Sequence, residues 1–298
     1  MKSFLPKILL TGANGQMGMA LRYHPRAAEF HLIACSHKDL DITHSVSIEN
    51  AILKFYPDVI INTAAYTAVD KAEQERERVL FVNHIGAKQL AITCKQHQIP
   101  LFHLSTDYVF DGTSSSPYRE EDKTNPINVY GESKWLGEQA IRENCEQHTI
   151  LRVSGIFSEY GHNFLKTMLR LANEKKELKV VSDQITCPTY AGDIANALFS
   201  IVVQQHSRWG TYHFCNADPV SWQQFAASII HVANQYQPLL IKEVKAISTA
   251  DYPTLATRPA YSVLNCDKVN THFGIKQTSW RDALTTIIPL LIRKGIDS

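Results

Sequence analysis

Tyr130 and Lys134 stand four residues apart in a stretch, 129–144, whose apolar spacing predicts a helix, so their side chains share one helical face. A phenol ionises near ~10, too high for easy proton release at neutral pH. An ammonium beside it stabilises the phenolate and lowers that value, which suits Tyr130 to general acid catalysis. Lys134 can also bond the ribose of a nicotinamide cofactor. Ser105-Thr106-Asp107 follows a predicted strand at 100–104, where a hydroxyl can hydrogen-bond an oxygen on which negative charge develops. A Tyr-x-x-x-Lys pair alone also fits an exposed helix face, and a Ser-Thr-Asp run fits a loop cap. The weight lies in their order and in their places at a strand end and on a helix.

A third element precedes them. Gly12, Gly15 and Gly18 form G-x-x-G-x-x-G, directly after a predicted strand at 7–10 and at the opening of a helix that runs through Leu21. Glycine allows a tight turn and close approach to a pyrophosphate, and the helix N-terminus offers free N–H groups. Gly15, Gln16 and Met17 stand at the opening of that helix. The competing reading is a strand-to-helix turn that is merely rich in glycine. Cofactor choice is read at the end of the second strand, 31–35. NAD enzymes place an acid there for the ribose 2′-hydroxyl. This chain continues Ser36-His37-Lys38, with no acid before Asp39, and Ser36 or Lys38 can accept a 2′-phosphate. NADPH is the expected cofactor, with NADH usable.

The elements that must position these groups alternate along the first half. Strands are expected at 7–10, 31–35, 58–62, 100–104 and 149–153, and helices at 46–55, 73–98 and 129–144. That rhythm predicts an α/β fold, a Rossmann-like doubly wound parallel sheet with ligands at the carboxyl ends of its strands. The second half is less regular. Helices are expected at 164–175, 192–205, 222–236 and 280–292, with an irregular stretch at 258–265. Residues 1–155 are read as the dinucleotide-binding domain, with 190–217 returning to it. Residues 156–298 are read mainly as a smaller, discontinuous C-terminal substrate-binding domain.

Composition narrows the partners. The 298 residues carry a net charge of +1 with 44% hydrophobic and 20% charged residues, so no basic surface for nucleic acid or membrane is suggested. No apolar run reaches the ~18 residues of a membrane helix, and no signal-peptide pattern is seen, so cytoplasm is the expected compartment. The six cysteines form no C-x-x-C pair, which argues against a zinc site or redox dithiol. A small molecule in a local crevice is the expected partner.

Together, Gly12-x-x-Gly15-x-x-Gly18, the run Asn62 to Lys71, Ser105-Thr-Asp-Tyr-Val-Phe-Asp-Gly112 and Tyr130-x-x-x-Lys134 resemble the extended short-chain dehydrogenase/reductase superfamily. More narrowly they resemble its dTDP-4-dehydrorhamnose reductase family, and Asn163-Phe164, Asp183-Gln184, Pro188-Thr189 and Arg258-Pro259 extend the likeness over nearly the whole chain. The resemblance implies NADPH-dependent reduction of the C4 ketone of a nucleotide-linked 4-keto-6-deoxysugar, dTDP-4-dehydro-β-L-rhamnose, in making surface-polysaccharide precursors. Tyr130 would give the proton, Lys134 would lower its pKa, and Thr106 would polarise the ketone. Gly15, Gln16 and Met17 would touch the pyrophosphate, Asp41 and Ile42 would contact adenine, and Ala64, Ala65, Tyr66 and Thr67 would line the cofactor. Asp107, Val69, Lys71, Gly155, Asn163 and Arg258 would meet the sugar nucleotide.

Two departures stand out. Some members dimerise through magnesium held by glutamates, but the matching positions here are Ala20 and Gly192, so no metal is expected and a monomer or weak homodimer is. The family often sets a tryptophan beside the sugar, where this chain has Gly155. Rival readings are a reductase of a stereoisomeric keto-sugar, and a dehydratase or epimerase that returns its hydride. A third is a non-enzymatic subunit resembling the regulatory subunit of methionine adenosyltransferase. An elimination needs an Asp-Glu pair, whereas Tyr108 follows Asp107 here.

Overall fold

Ile8 and Leu10 enter one apolar core and Leu9 another, so the first strand is buried on both faces, as a central parallel strand must be. The computed structural model describes residues 5–204 and 208–295. The first half runs β1 (Lys7–Thr11), α1 (Gln16–Tyr23), β2 (His31–Cys35), α2 (Ser45–Phe55), β3 (Val59–Asn62), α3 (Val69–Ala72), α4 (Arg76–Leu80), α5 (Ala87–His97), β4 (Leu101–Thr106), α6 (Val129–Asn144) and β5 (His148–Val153). The second half runs β6 (Ile156–Phe157), α7 (Phe164–Glu174), β7 (Glu177–Val181), β8 (Ile185–Thr186), β9 (Thr189–Tyr190), α8 (Ala191–Gln204) and β10 (Gly210–Phe214). It ends with β11 (Val220–Ser221), α9 (Trp222–Ala233), β12 (Glu243–Ile247), α10 (Asp267–Phe273) and α11 (Trp280–Lys294).

Six parallel strands form one sheet in the order β10-β5-β4-β3-β1-β2. The chain leaves β1 toward β2 and returns on the other side at β3. The switch point between β1 and β3 opens a crevice at the strands' carboxyl ends, and the Gly-rich turn sits there. No strand lies beyond β2 among the described residues, so the order is the flavodoxin-like variant of the doubly wound sheet. Residues of α1 and α8 cover one face, and residues of α2, α5 and α6 the other. A separate core joins α7, α9, α11 and β7, with Trp280 fully buried in it.

Some sequence expectations are corrected. Residues 73–98 are not one helix. Gln74 and Glu75 both donate to the Lys71 carbonyl and close α3, and Phe81–Gly86 is a π-helical turn between α4 and α5. That turn carries Asn83, whose side chain accepts from Tyr66 N at 2.8 Å and donates to Tyr66 O at 3.0 Å. In the second half the strands β6–β12 carry little sequence signal of their own, because most are two residues long. The helix expected at 192–205 is α8, and its last expected residue lies outside the described residues. β10 pairs in parallel with β5.

Candidate active site

Gly12 has φ +69°, and a Cβ there would lie 2.6 Å from Ala64 N, so the backbones of the first turn and the β3 loop touch only because the side chain is hydrogen. A Cβ on Gly18 would collide with the Gly12 carbonyl. Helix α1 starts at Gly15 without a side-chain cap. The first N–H groups of a helix lack intrahelical partners, so those of Gln16 and Met17 are open to an anion at the crevice.

A cleft of about 680 Å³ opens beside this turn. Its lining joins Gly15, Gln16, Met17, Ala65, Thr67, Val69, Thr106, Asp107, Tyr130, Lys134 and Gly155, eleven of the sequence-predicted residues. An adjoining depression of about 540 Å³ shares Gly15 and Ala65 and is lined by Gly12, Ser36, Lys38, Asp41, Ile42 and Ala64. The two adjoin at the Gly-rich turn.

Other predicted residues are placed elsewhere. Gly18 is buried beneath the turn and Lys71 is exposed, outside both cavities. Tyr66 packs toward Ala72 and Val79, and its backbone is what Asn83 holds. Asn163 caps α7 through Lys166 N at 3.2 Å and donates to Ser158 O and Tyr160 O, so its amide is committed to the chain. Arg258 forks onto Asp70, at 3.1 and 2.7 Å, and lines a smaller cavity of about 330 Å³ next to the cleft. Ser36 donates through both N and Oγ to the Asp39 carboxylate, at 2.9 and 2.6 Å, so an acid already holds the hydroxyl expected to face a 2′-phosphate. Asp41 is engaged by Thr43.

Around the reacting position, Thr106 caps the turn after β4, accepting from Tyr108 N at 3.2 Å and donating to Asp107 Oδ1 at 3.0 Å. Asp107 is buried. Burial pushes it up to about 6, against the pull of the Ser262, Ser154 and Thr106 hydroxyls. Asn128 caps α6 by accepting from Gly131 N at 2.8 Å, which fixes the first turn bearing Tyr130. Loss of water raises the Tyr130 phenol to about 12, the Thr106 hydroxyl pulling down and Asp107 adding to the rise. This corrects the expected lowering by Lys134. The lysine is buried and its nitrogen donates instead to Leu104 O at 2.7 Å. Burial brings Lys134 down to about 8, against the pull of Glu138.

Sequence reasoning missed several residues. Trp222 lines the cleft beside Phe164, ring centroids 4.7 Å apart, and supplies an aromatic surface that Gly155 cannot. Gly155 has φ +52°, a backbone that a tryptophan adopts only under strain. Trp222 opens an amphipathic helix, and nothing local separates it from core-packing tryptophans such as Trp280. Gln184, Thr186 and Ser262 also line the cleft, brought there by the β8–β11 region and the 258–265 segment. No group of three or more metal-ligating residues occurs among the described residues. Ala20 is buried in α1, and Gly192 abuts the Tyr190 ring.

The family model of the RmlD substrate binding domain matches residues 6–292. The dTDP-4-dehydrorhamnose reductase of Aggregatibacter actinomycetemcomitans is 43% identical over 289 residues, 95% of this chain and 98% of the relative. That of Sinorhizobium fredii is 40% identical over 297 residues, 98% of this chain and 100% of the relative. The crystal structure of dTDP-4-dehydrorhamnose reductase from Bacillus anthracis in complex with NADP superposes with a TM-score of 0.90 at 36% identity, covering 96% of this chain and 99% of that one.

Proposed function

The chain belongs to the dTDP-4-dehydrorhamnose reductase family, and on that premise we propose that it reduces the C4 ketone of dTDP-4-dehydro-β-L-rhamnose to dTDP-L-rhamnose with NADPH. The observation that carries the reading is the meeting of Thr106, Tyr130 and Lys134 in the cleft that begins at the Gly-rich turn. The cradle fits the cofactor: side chains are excluded at Gly12 and Gly18, and the uncapped start of α1 faces the space where a pyrophosphate would lie. When bound, NADPH supplies the hydride.

The chain's own residues do the rest. Tyr130 keeps its proton throughout the working pH range and releases it only to an oxygen that becomes an alkoxide. Thr106 turns its hydroxyl from Asp107 to that oxygen and stabilises the developing charge. Lys134, as ammonium, attracts the phenolate left behind and bonds the ribose. Trp222 and Phe164 give an apolar face to the sugar nucleotide, and the Arg258 cavity extends that site. We assign 1–155 with 190–217 to the cofactor and the remainder mainly to the substrate. Monomer or weak homodimer and a cytoplasmic place complete the reading, and no helix among the described residues is long and apolar enough to cross a membrane.

The test is turnover with the keto-sugar and NADPH deuterated at C4 on the transferred face. One NADPH is consumed per sugar, the label appears at C4, and NMR reads the configuration. Turnover without net NADPH loss means internal redox chemistry instead, and the opposite configuration at C4 means a stereoisomeric product.

A further inference from the structure

Three neighbouring strands set Thr11, Asn62 and His103 in one row. Thr11 is in register with Asn62, and Asn62 with His103. All three side chains are buried. Thr11 Oγ1 donates to Asn62 Oδ1 at 2.6 Å, and Asn62 Nδ2 lies 2.9 Å from His103 Nδ1. His103 Nε2 lies 3.1 Å from Lys134 Nζ, which also donates to Leu104 O at 2.7 Å.

The protons of this row are constrained. Ala64 N–H, which can only donate, points to Asn62 Oδ1 at 3.1 Å and fixes which end of the amide is oxygen. Asn62 Nδ2 therefore offers only hydrogens to His103, and Nδ1 must accept. A neutral imidazole that accepts at Nδ1 carries its proton on Nε2, and here that N–H is aimed at Lys134. An ammonium has three donors and no lone pair. The charged lysine would meet the ring donor to donor, whereas the neutral amine accepts from Nε2–H and still donates to Leu104 O.

We propose that His103 is a positioning residue that makes Lys134 a weak holder of its proton, by turning a donor rather than an acceptor toward the lysine nitrogen. Tyr130, one turn before Lys134 on α6, lines the same cleft and is held protonated by burial. Glu138, one turn along α6, favours the ammonium, but its charge is shared with Arg152 and Arg142. Burial first, then Lys134 and His148 on β5, keep His103 neutral. Burial already lowers Lys134 to about 8 against the pull of Glu138, and the donor that His103 turns toward it acts in the same direction as burial. On the reductase reading, on which this consequence rests, the ammonium form is the active one. Activity then falls as pH rises through the lysine's value, and His103 decides where that happens.

Two experiments test it. Imidazole 15N spectra of the full chain at about pH 9, one unit above the lysine's value, are expected to show His103 with Nδ1 bare and Nε2 protonated. The opposite tautomer overturns the proposal. His103→Gln places a carboxamide whose oxygen can accept from the ammonium. The alkaline limb of kcat/KM for NADPH, which reports the free enzyme, is expected to move up by about one unit or more. An unmoved limb in a folded variant overturns it, and if the variant fails to fold the wild-type tautomer decides. A protein that reduces no keto-sugar removes the reductase reading but leaves the tautomer measurement valid.

Discussion

Tyr130 has a proton to give at every working pH, since its phenol is pushed up to about 12. Tyr130→Phe deletes that proton and keeps the ring. It is expected to lower kcat at least ~100-fold with little change in NADPH affinity by fluorescence titration, and near-normal turnover would remove Tyr130 from the mechanism. Asp39 makes a second residue-scale case. Its carboxylate holds Ser36 at the end of β2 and sets a negative charge near the expected 2′-phosphate. Asp39→Asn is expected to raise the kcat/KM ratio of NADPH to NADH several-fold, and an unchanged or lower ratio would place the 2′-phosphate away from this loop. The tyrosine, the lysine and the glycine turn are legible in sequence because each works through neighbours within a few residues. His103 is not. Its meaning comes from the register of β3 on β4 and the packing of α6 on β4, which bring residues 41 and 31 positions away in the chain, Asn62 and Lys134, to either side of one ring.

At the scale of elements, α6 is both a catalytic shelf and a buried electrostatic post. Glu138 accepts from Arg152 at 2.7 Å, from Arg142 at 2.8 Å and from Ser105 Oγ at 2.6 Å. Burial works to raise its pKa, yet the two guanidinium groups and Ser105 hold it at about 2. Glu138→Ala leaves Arg152 charged in the core and is expected to cost roughly 3–5 kcal/mol in urea unfolding. Pairing Glu138→Leu with Arg152→Met is expected to recover much of that loss, and a double variant as unstable as the single one would contradict the account. The break in the helix read at 73–98 was hidden for a related reason. Its π turn matters through Asn83, which ties the Tyr66 backbone and donates to Ser133 of α6 at 2.9 Å, a partner no periodicity reveals. The strands of the first half were legible because runs such as Val59–Asn62 are buried throughout. β12 has no buried residue and β7 only Leu178 and Val180, and their pairing with each other is what makes them strands.

For the whole molecule, buried histidines set the response to acid. His103 and His213 are held below the ordinary ~6.5, in both cases first by burial, and His213 reaches about 3. The unfolded chain binds protons that the native one refuses, so stability falls as pH drops below about 6.5 and goes on falling toward His213's value. Glu138 adds a loss below its ordinary ~4.3. Asp107, raised to about 6, opposes them, because the native state takes up its proton first. His148, His24, His84 and His272 are lowered as well, while Glu120 is raised and sides with Asp107, so the histidines prevail and the urea midpoint is expected to be lower at about pH 5 than at about pH 7.5. A flat or rising profile would show that the histidines are charged in the native state. Metal is tested at this scale too. With Ala20 and Gly192 at the compared positions, chelation by EDTA is expected to leave activity and light-scattering mass unchanged, and dissociation would reveal ligands elsewhere.

The placement of β10 has a consequence during synthesis. β5 ends at Val153, and its outer neighbour ends at Phe214, roughly 60 residues later. At ~5–20 residues per second, the ribosome leaves that backbone edge bare for about 3–12 s after β5 emerges. The covering helix α8 is made in the same interval. A nascent sheet with an open parallel edge is a template for other chains.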